Sequence, residues 1–331
     1  MNEKHVAIIV AAACLMASVW SVHNFHNGLQ PDLSGSGDYT FYLNCCTETP
    51  GQQHLVIPLL LRVVNTVLQY PTLTVYIMMV LGFFLTYFST FLLSTRLSEN
   101  FYSGVVSTVT ALIFGSGLNI FLTATALKNL YGIVFLLLSL VLLLDLEKRF
   151  TGKKLGLFAV ASVLTALTHS IPVFLLLETL TVYCIYRIYK KQKKHVAAML
   201  TIPLLTFIAF TALFFSGRLA KFTDLLYNVT FNLPETVTLN WVYAYTPYLL
   251  IYLWSIYAVL VSAVIAVAQH RKHSLDPFFV GLMLNAGTLM FLGEKSLTHY
   301  SYSSRFHENL LPFISLLFGY IVSGKWLELK K

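Results

Sequence analysis

The chain has 331 residues, 57% of them hydrophobic and only 11% charged, with 22 Lys and Arg against 14 Asp and Glu. Soluble domains carry about 25% charged residues, so the composition excludes an ordinary soluble domain and points to an integral membrane protein. The net charge of +8 does not read as a nucleic-acid surface, because most basic residues sit in short breaks between apolar runs, where they set topology.

The apolar runs are long and lack the short alternating segments of an outer-membrane barrel, so the expected fold is an all-α bundle. Ten transmembrane helices are expected, at about 5–22, 71–94, 101–123, 129–146, 155–168, 171–189, 196–215, 247–268, 277–292 and 307–324, forming one polytopic domain over 1–331. The first is read as an uncleaved anchor, its run of about 17 apolar residues being long for a signal peptide.

A polar stretch, HNFHNGLQPDLSGSGDYTFYLNCCTETPGQQH, follows from His23 to His54. The segment 54–70 after it carries Arg62, Asn65 and Gln69 at intervals of three and four. That polar stripe reads as an amphipathic helix lying at the membrane interface, so 23–70 forms a first outer loop. A second long outer loop is expected at 216–246. The triplet Gly115-Ser116-Gly117 is expected to loosen the third span. Spans five and six meet in a tight turn at Thr168-His169-Ser170, and Glu178 lies deeper in the sixth, where a carboxyl is costly and faces protein or water.

With both termini cytoplasmic, only six of the 22 basic residues fall to the outer side: Arg62, Lys128, Arg218, Lys221, Lys295 and Arg305. Counting 54–70 as a span would put the KKQKK cluster outside, against the positive-inside rule. Asp32, Asp38, Glu48, Asp224, Glu235, Glu294 and Glu308 all fall on or near the outer face. Long loops carry function, so an active site is expected to face the extracytoplasmic or luminal side. Of the four cysteines, Cys45 and Cys46 are adjacent and no CxxC occurs, so neither a disulfide framework nor a sulfur-based zinc site is expected.

Several short pieces occur in the order of a known superfamily. A first span precedes an outward loop with an acid and aromatics, Asp38-Tyr39-Thr40-Phe41-Tyr42. His54-Leu55-Val56-Ile57-Pro58 and a span ending at Arg96 follow. Lys128-Asn129-Leu130-Tyr131 opens the fourth span, Leu164-Thr165-Ala166-Leu167-Thr168-His169 closes the fifth, and Ser304-Arg305-Phe306 with Leu311-Pro312 comes late. In these features the chain resembles the GT-C superfamily of membrane glycosyltransferases, which take a sugar from a polyprenyl-phosphate carrier. The resemblance implies a helical bundle with its catalytic acid in the first outward loop, matching Asp38 or, less closely, Asp32. It also implies a late arginine on the carrier phosphate, matching Arg305. The chain departs from the family pattern in having no paired Asp-x-Asp or Asp-Glu in that loop and no acid in the next outward loop, where Lys128 stands instead.

Transfer from a lipid phosphate needs a base for the acceptor and positive charge for the leaving phosphate. Asp38 suits the base; its competing reading is a turn aspartate after Gly37. Asp32 follows a proline and reads more as a turn or cap. Arg305 offers a two-pronged grip on phosphate, against the alternative of an interface anchor. Lys128 is either a second phosphate contact or an interfacial lysine. His169 and His54 either orient an acid or phosphate, or make a structural hydrogen bond. A divalent cation, Mg or Mn, is expected only at Asp38, where one carboxylate is a poor site, and His23-x-x-His26 is a weak zinc pattern. Asn228-Val229-Thr230 is a glycosylation sequon.

The expected partners are a lipid-linked sugar donor with a polyprenyl or dolichyl phosphate, a protein, lipid or glycan acceptor, and the membrane, with no nucleic acid. Two other readings stand beside the transferase. One is a transporter or flippase for a lipid-linked or small substrate, working through Glu178 and Asp145. The other is a non-catalytic protein of the same fold, which the missing second acid keeps open.

Overall fold

In the computed structural model the residues described are 3–28, 37–47, 56–122, 127–189, 196–214, 277–295 and 300–323, and all their regular structure is helical. Eleven helices lie among the described residues: α1 (Glu3–Gly28), α2 (Gly37–Thr47), α3 (Val56–Leu68), α4 (Pro71–Ser98), α5 (Phe101–Leu122), α6 (Leu127–Lys148), α7 (Gly152–Thr168), α8 (Ser170–Tyr189), α9 (Val196–Phe214), α10 (Pro277–Lys295) and α11 (Tyr300–Ser323). Four of them contain stretches long and apolar enough to cross a membrane: Glu3–His23, Pro71–Ser98, Leu127–Lys148 and Ile171–Tyr189. Shorter apolar helices accompany them at Val56–Leu68, Phe101–Ile113, Met199–Ile208, Pro277–Leu289 and Leu310–Val322. The chain is a multi-pass membrane protein. The expected span at 247–268 and the outer loop at 216–246 lie outside the described residues.

One expectation needs correction. The polar stretch after the first span is not simply a loop: α1 runs on through His23 and His26 to Gly28, and Gly37–Thr47 is a helix of its own. The reason is packing, since Tyr42, Cys45 and Cys46 of α2 are buried in one apolar cluster with residues of α1, α3, α4 and α6. α5 runs through the Gly115-Ser116-Gly117 triplet to Leu122.

α3 is separate from α4 for a local reason. Gln69 takes the left-handed conformation, with φ of 53°, and its N–H still reaches the Asn65 carbonyl at 2.8 Å. Tyr70 is extended, and Pro71 opens α4 at a position where a missing N–H costs nothing. Asn65, from the polar stripe, turns inward: its amide donates to the Cys46 carbonyl at 3.1 Å and accepts from the Thr74 hydroxyl at 3.1 Å. Leu59, Val63 and Val67 form the exposed side of α3. Because a non-glycine residue pays about 1–2 kcal/mol for the left-handed region, Gln69→Gly is expected to raise thermal stability in detergent by roughly 0.5–1 kcal/mol. A melting temperature unchanged or lowered would contradict that.

Polar side chains within the spans mostly turn back on their own helix. The hydroxyls of Ser18, Thr86, Thr90, Ser98, Thr108, Ser139 and Thr165 each donate to the carbonyl four residues earlier. In lipid, where no water competes, that is the nearest available partner.

The helix ends sort by charge. Where α4, α6 and α8 finish and α7 begins, Arg96 pairs with Asp145 at 3.9 Å, Lys148 with Glu99 at 2.6 Å and Arg187 with Glu147 at 3.4 Å. Lys154 Nζ donates to the Asp145 carbonyl at 2.8 Å. Asp145 is therefore held by neighbouring charge at a helix end.

Candidate active site

The opposite end of the bundle is where most of the sequence-expected site residues fall. Asp38 is the second residue of α2, in its first turn. One turn on, Phe41 and Tyr42 receive Lys128, the second residue of α6: its Nζ lies 4.2 Å from the Phe41 ring centre and 5.8 Å from that of Tyr42. The Lys128 N–H donates to the Tyr42 hydroxyl at 3.4 Å. Tyr42 is fully buried and meets Phe41 edge to face at 5.6 Å, so the platform under the ammonium is fixed.

A lysine in the first turn of a helix adds positive charge to the end where the dipole is already positive. The electrostatic cost falls on the fold. The aromatic faces offset part of it, such contacts being worth about 0.5–2 kcal/mol. The gain would go to an anion brought to that spot.

His169 sits at the same end, as the single extended residue between α7 and α8. Its Nδ1 accepts the Ile171 N–H at 3.3 Å, so a neutral ring carries its proton on Nε2. The turn is pressed onto α6 one helical turn past Lys128: a Cβ on Gly132 would lie 3.4 Å from His169 Cβ and 2.8 Å from Pro172 Cγ. The hydrogen bond that starts α8 is thus made by His169.

Arg305 lies near the start of α11. Gly319, later in α11, touches Ser94, Ser103 and Ser107, where α4 ends and α5 begins. That contact places the finish of α11 at the ion-pair end and its start, with Arg305, at the end of Lys128 and His169. α11 packs mainly on α5, α10 and α4, while α2 packs on α3 and α4. Lys128 and α2 are brought together; Arg305 shares their end of the bundle on a different helix. Asp32 and His54 lie outside the described residues, and so does the sequon at Asn228.

Burial pushes the Cys46 thiol up to about 11, with Cys45 beside it adding to the rise. Its folded pKa is above the ordinary value of 9.0, so the folded chain holds that proton more tightly than the unfolded one. The contribution to stability is complete below pH 9 and is lost as pH rises toward about 11. Iodoacetamide at pH 8 is therefore expected to leave Cys46 unmodified in detergent micelles and to label it quickly in SDS; equal rates would contradict its burial.

Sequence reading missed two groups. The aromatic seat for Lys128 was visible as Phe41-Tyr42 but not its occupant, because the pairing spans 86 positions. The partners of Glu178 were also missed: Thr288 donates to its Oε1 at 2.8 Å. No group of three or more His, Cys, Asp or Glu among the described residues is placed to hold a metal ion.

Comparison of the chain with family models, with curated proteins and with solved structures finds no match in any of the three.

Proposed function

We propose that the protein is a membrane glycosyltransferase of the GT-C type, moving a sugar from a polyprenyl- or dolichyl-phosphate donor to an acceptor on the extracytoplasmic side. The bundle of ten spans with both termini inside belongs to the same reading. The observation that carries it is the seat of Lys128: a cation at the positive end of α6, held on the aromatic face of α2 one turn from Asp38. That juxtaposition supports the reading, because the reaction requires a base and a phosphate-binding charge close together.

In this reading Asp38 takes the acceptor proton, Lys128 and Arg305 hold the carrier phosphate, and His169 fixes the turn that backs them. Asp32 and His54 belong to the same outer face. The test is a transfer assay on membranes containing the protein, with a panel of radiolabelled lipid-phosphate sugars. The reading expects one donor to give labelled product that depends on the protein. No transfer from any lipid-phosphate donor, with polyprenyl phosphate failing to bind, would overturn it.

A further inference from the structure

Most hydroxyls inside the bundle are returned to their own helix, but a polar cluster built on a carboxyl joins α8 and α10. Glu178 of α8 faces Asn285 and Thr288 of α10. The Asn285 side chain is fully buried. One end of its amide lies 2.6 Å from Glu178 Oε2 and 3.2 Å from the Leu175 carbonyl, and the other lies 2.8 Å from Thr179 Oγ1. Thr288 Oγ1 donates to the second carboxyl oxygen at 2.8 Å. The helices come this close because α10 carries Gly281 opposite Thr179, where a Cβ would already stand 3.0 Å from Thr179 Cγ2.

An amide has a donor end and an acceptor end of nearly the same shape, so its hydrogen-bond partners decide which way it sits. With nitrogen toward Glu178, it donates to the carboxylate at 2.6 Å and to the Leu175 carbonyl at 3.2 Å, and its oxygen accepts from the Thr179 hydroxyl at 2.8 Å. An ionised Glu178 then receives two donors, Asn285 and Thr288. With oxygen toward Glu178, the nitrogen donates to Thr179 at 2.8 Å, the amide gives up its bond to the Leu175 carbonyl, 3.2 Å away, and its oxygen meets the Glu178 oxygen at 2.6 Å. That is the spacing of an O–H···O hydrogen bond, and it is satisfied when Glu178 is a neutral acid donating to Asn285.

We propose that Glu178 and Asn285 form a proton-binding site inside the membrane, in which the Asn285 amide presents its oxygen to the neutral acid and its nitrogen to the carboxylate. A proton taken from water onto Glu178 Oε2 is accompanied by a half-turn of the amide, and its release to water reverses the turn. Thr179 changes from donor to acceptor as the proton binds and back as it leaves, and Thr288 keeps its bond throughout.

A small cation is the competing occupant. Oxygens bound at about 2.4 Å to one ion stand about 3.4 Å apart in an octahedral shell. The 2.6 Å between the amide and carboxyl atoms is too short for two separate ligands, so the geometry favours the proton.

Among the described residues, the helices packed on α8 are α6, α7, α9 and α10. Their charged residues stand toward helix ends: Lys128, Asp145, Glu147 and Lys148 on α6, Lys153 and Lys154 on α7, Glu294 and Lys295 on α10, with none on α9. His169 before α8 and Arg187 within it each lie about 13 Å along the axis from Glu178. The remaining titratable groups are Tyr131 of α6, which donates to the Met78 carbonyl, and Tyr183, Cys184, Tyr186 and Tyr189 of α8, of which Tyr183 accepts from Arg187.

The experiment is a pH titration of the full-length protein in lipid nanodiscs, followed by infrared difference spectroscopy. Wild type minus Glu178→Gln isolates the Glu178 carboxyl, and wild type minus Asn285→Leu isolates the amide. The expected result is a protonated-carboxyl band that vanishes as pH rises, with a change in the Asn285 carbonyl band at the same midpoint, both unaffected by exchanging choline for sodium. If Asn285→Leu does not fold, ¹³C,¹⁵N-asparagine labelling of the wild type reads the amide instead. Three results overturn the proposal: no protonated Glu178 at any pH where the protein is folded, a carboxyl that titrates with no amide change, or a midpoint that moves with sodium. Sugar transfer plays no part in the readout, so this site stands or falls independently of the transferase reading.

Discussion

Asp38→Asn is expected to reduce sugar transfer by about 10²–10⁴-fold, the usual contribution of a positioned general base. Asparagine keeps the shape of the side chain and is as good as aspartate at the start of a helix. The loss of an acid from the first turn of α2 costs that helix about 0.3–1 kcal/mol through the dipole. The lost transition-state stabilisation is about 3–5 kcal/mol at 1.36 kcal/mol per tenfold. The two readings of Asp38 therefore separate cleanly. A base predicts a large fall in kcat with a nearly unchanged melting temperature; a helix-start aspartate predicts a small stability loss and full activity. Measuring kcat and thermal stability on the same preparation decides between them.

The second large effect is on folding. Gly319 of α11 lies where a Cβ would collide with Ser107 Oγ and stand 2.6 Å from the Ser103 carbonyl and 2.7 Å from Ser94 Oγ. The same place carries a hydrogen bond from Ser103 Oγ to the Gly319 carbonyl at 2.5 Å, with Ser107 donating to Ser94 at 2.7 Å. Small residues that let two helix backbones touch are a means of packing in lipid, where apolar burial gives no advantage. Gly319→Leu must push α11 away from α5 and break that chain, so a loss of about 3 kcal/mol or more is expected, at the upper end of overpacking costs. The matched control is Gly156→Ala on α7, where nothing lies within 4 Å of the added carbon; it should be neutral or stabilising by up to about 1 kcal/mol. Thermal unfolding of both variants in detergent is the check. Equal melting temperatures would show that α11 does not rest on α5 as described.

Much of the helical layout was legible because its causes are local. Pro71 and the Thr168-His169-Ser170 turn mark breaks that the structure contains. The basic residues after the long apolar runs are those that pair with Asp145 and Glu147. What stayed hidden depends on distant partners. Gly37–Thr47 looks like loop by its glycines and polar residues, and becomes a helix because Tyr42, Cys45 and Cys46 find an apolar wall. Asn65 reads as part of a water-facing stripe, yet it bonds to Cys46 and Thr74. Glu178 announced itself as a costly acid, while Asn285 and Thr288, about 110 positions away, carry no sequence signal of their own. At the candidate site the residue types were visible in advance; the placing of Lys128 on α2 was not.

That placing bears on the central claim, that Asp38, Lys128 and Arg305 belong to one site at one end of the bundle. The most direct test is the distance between Asp38 and Arg305, read by pulsed EPR between spin labels at Asp38→Cys and Arg305→Cys. The four native cysteines are buried and are expected to stay unlabelled. A single site requires a separation within about two helix diameters, roughly 20 Å. A distance of about 40 Å, four helix diameters, would put the base and the phosphate grip on opposite sides of the bundle and contradict the site.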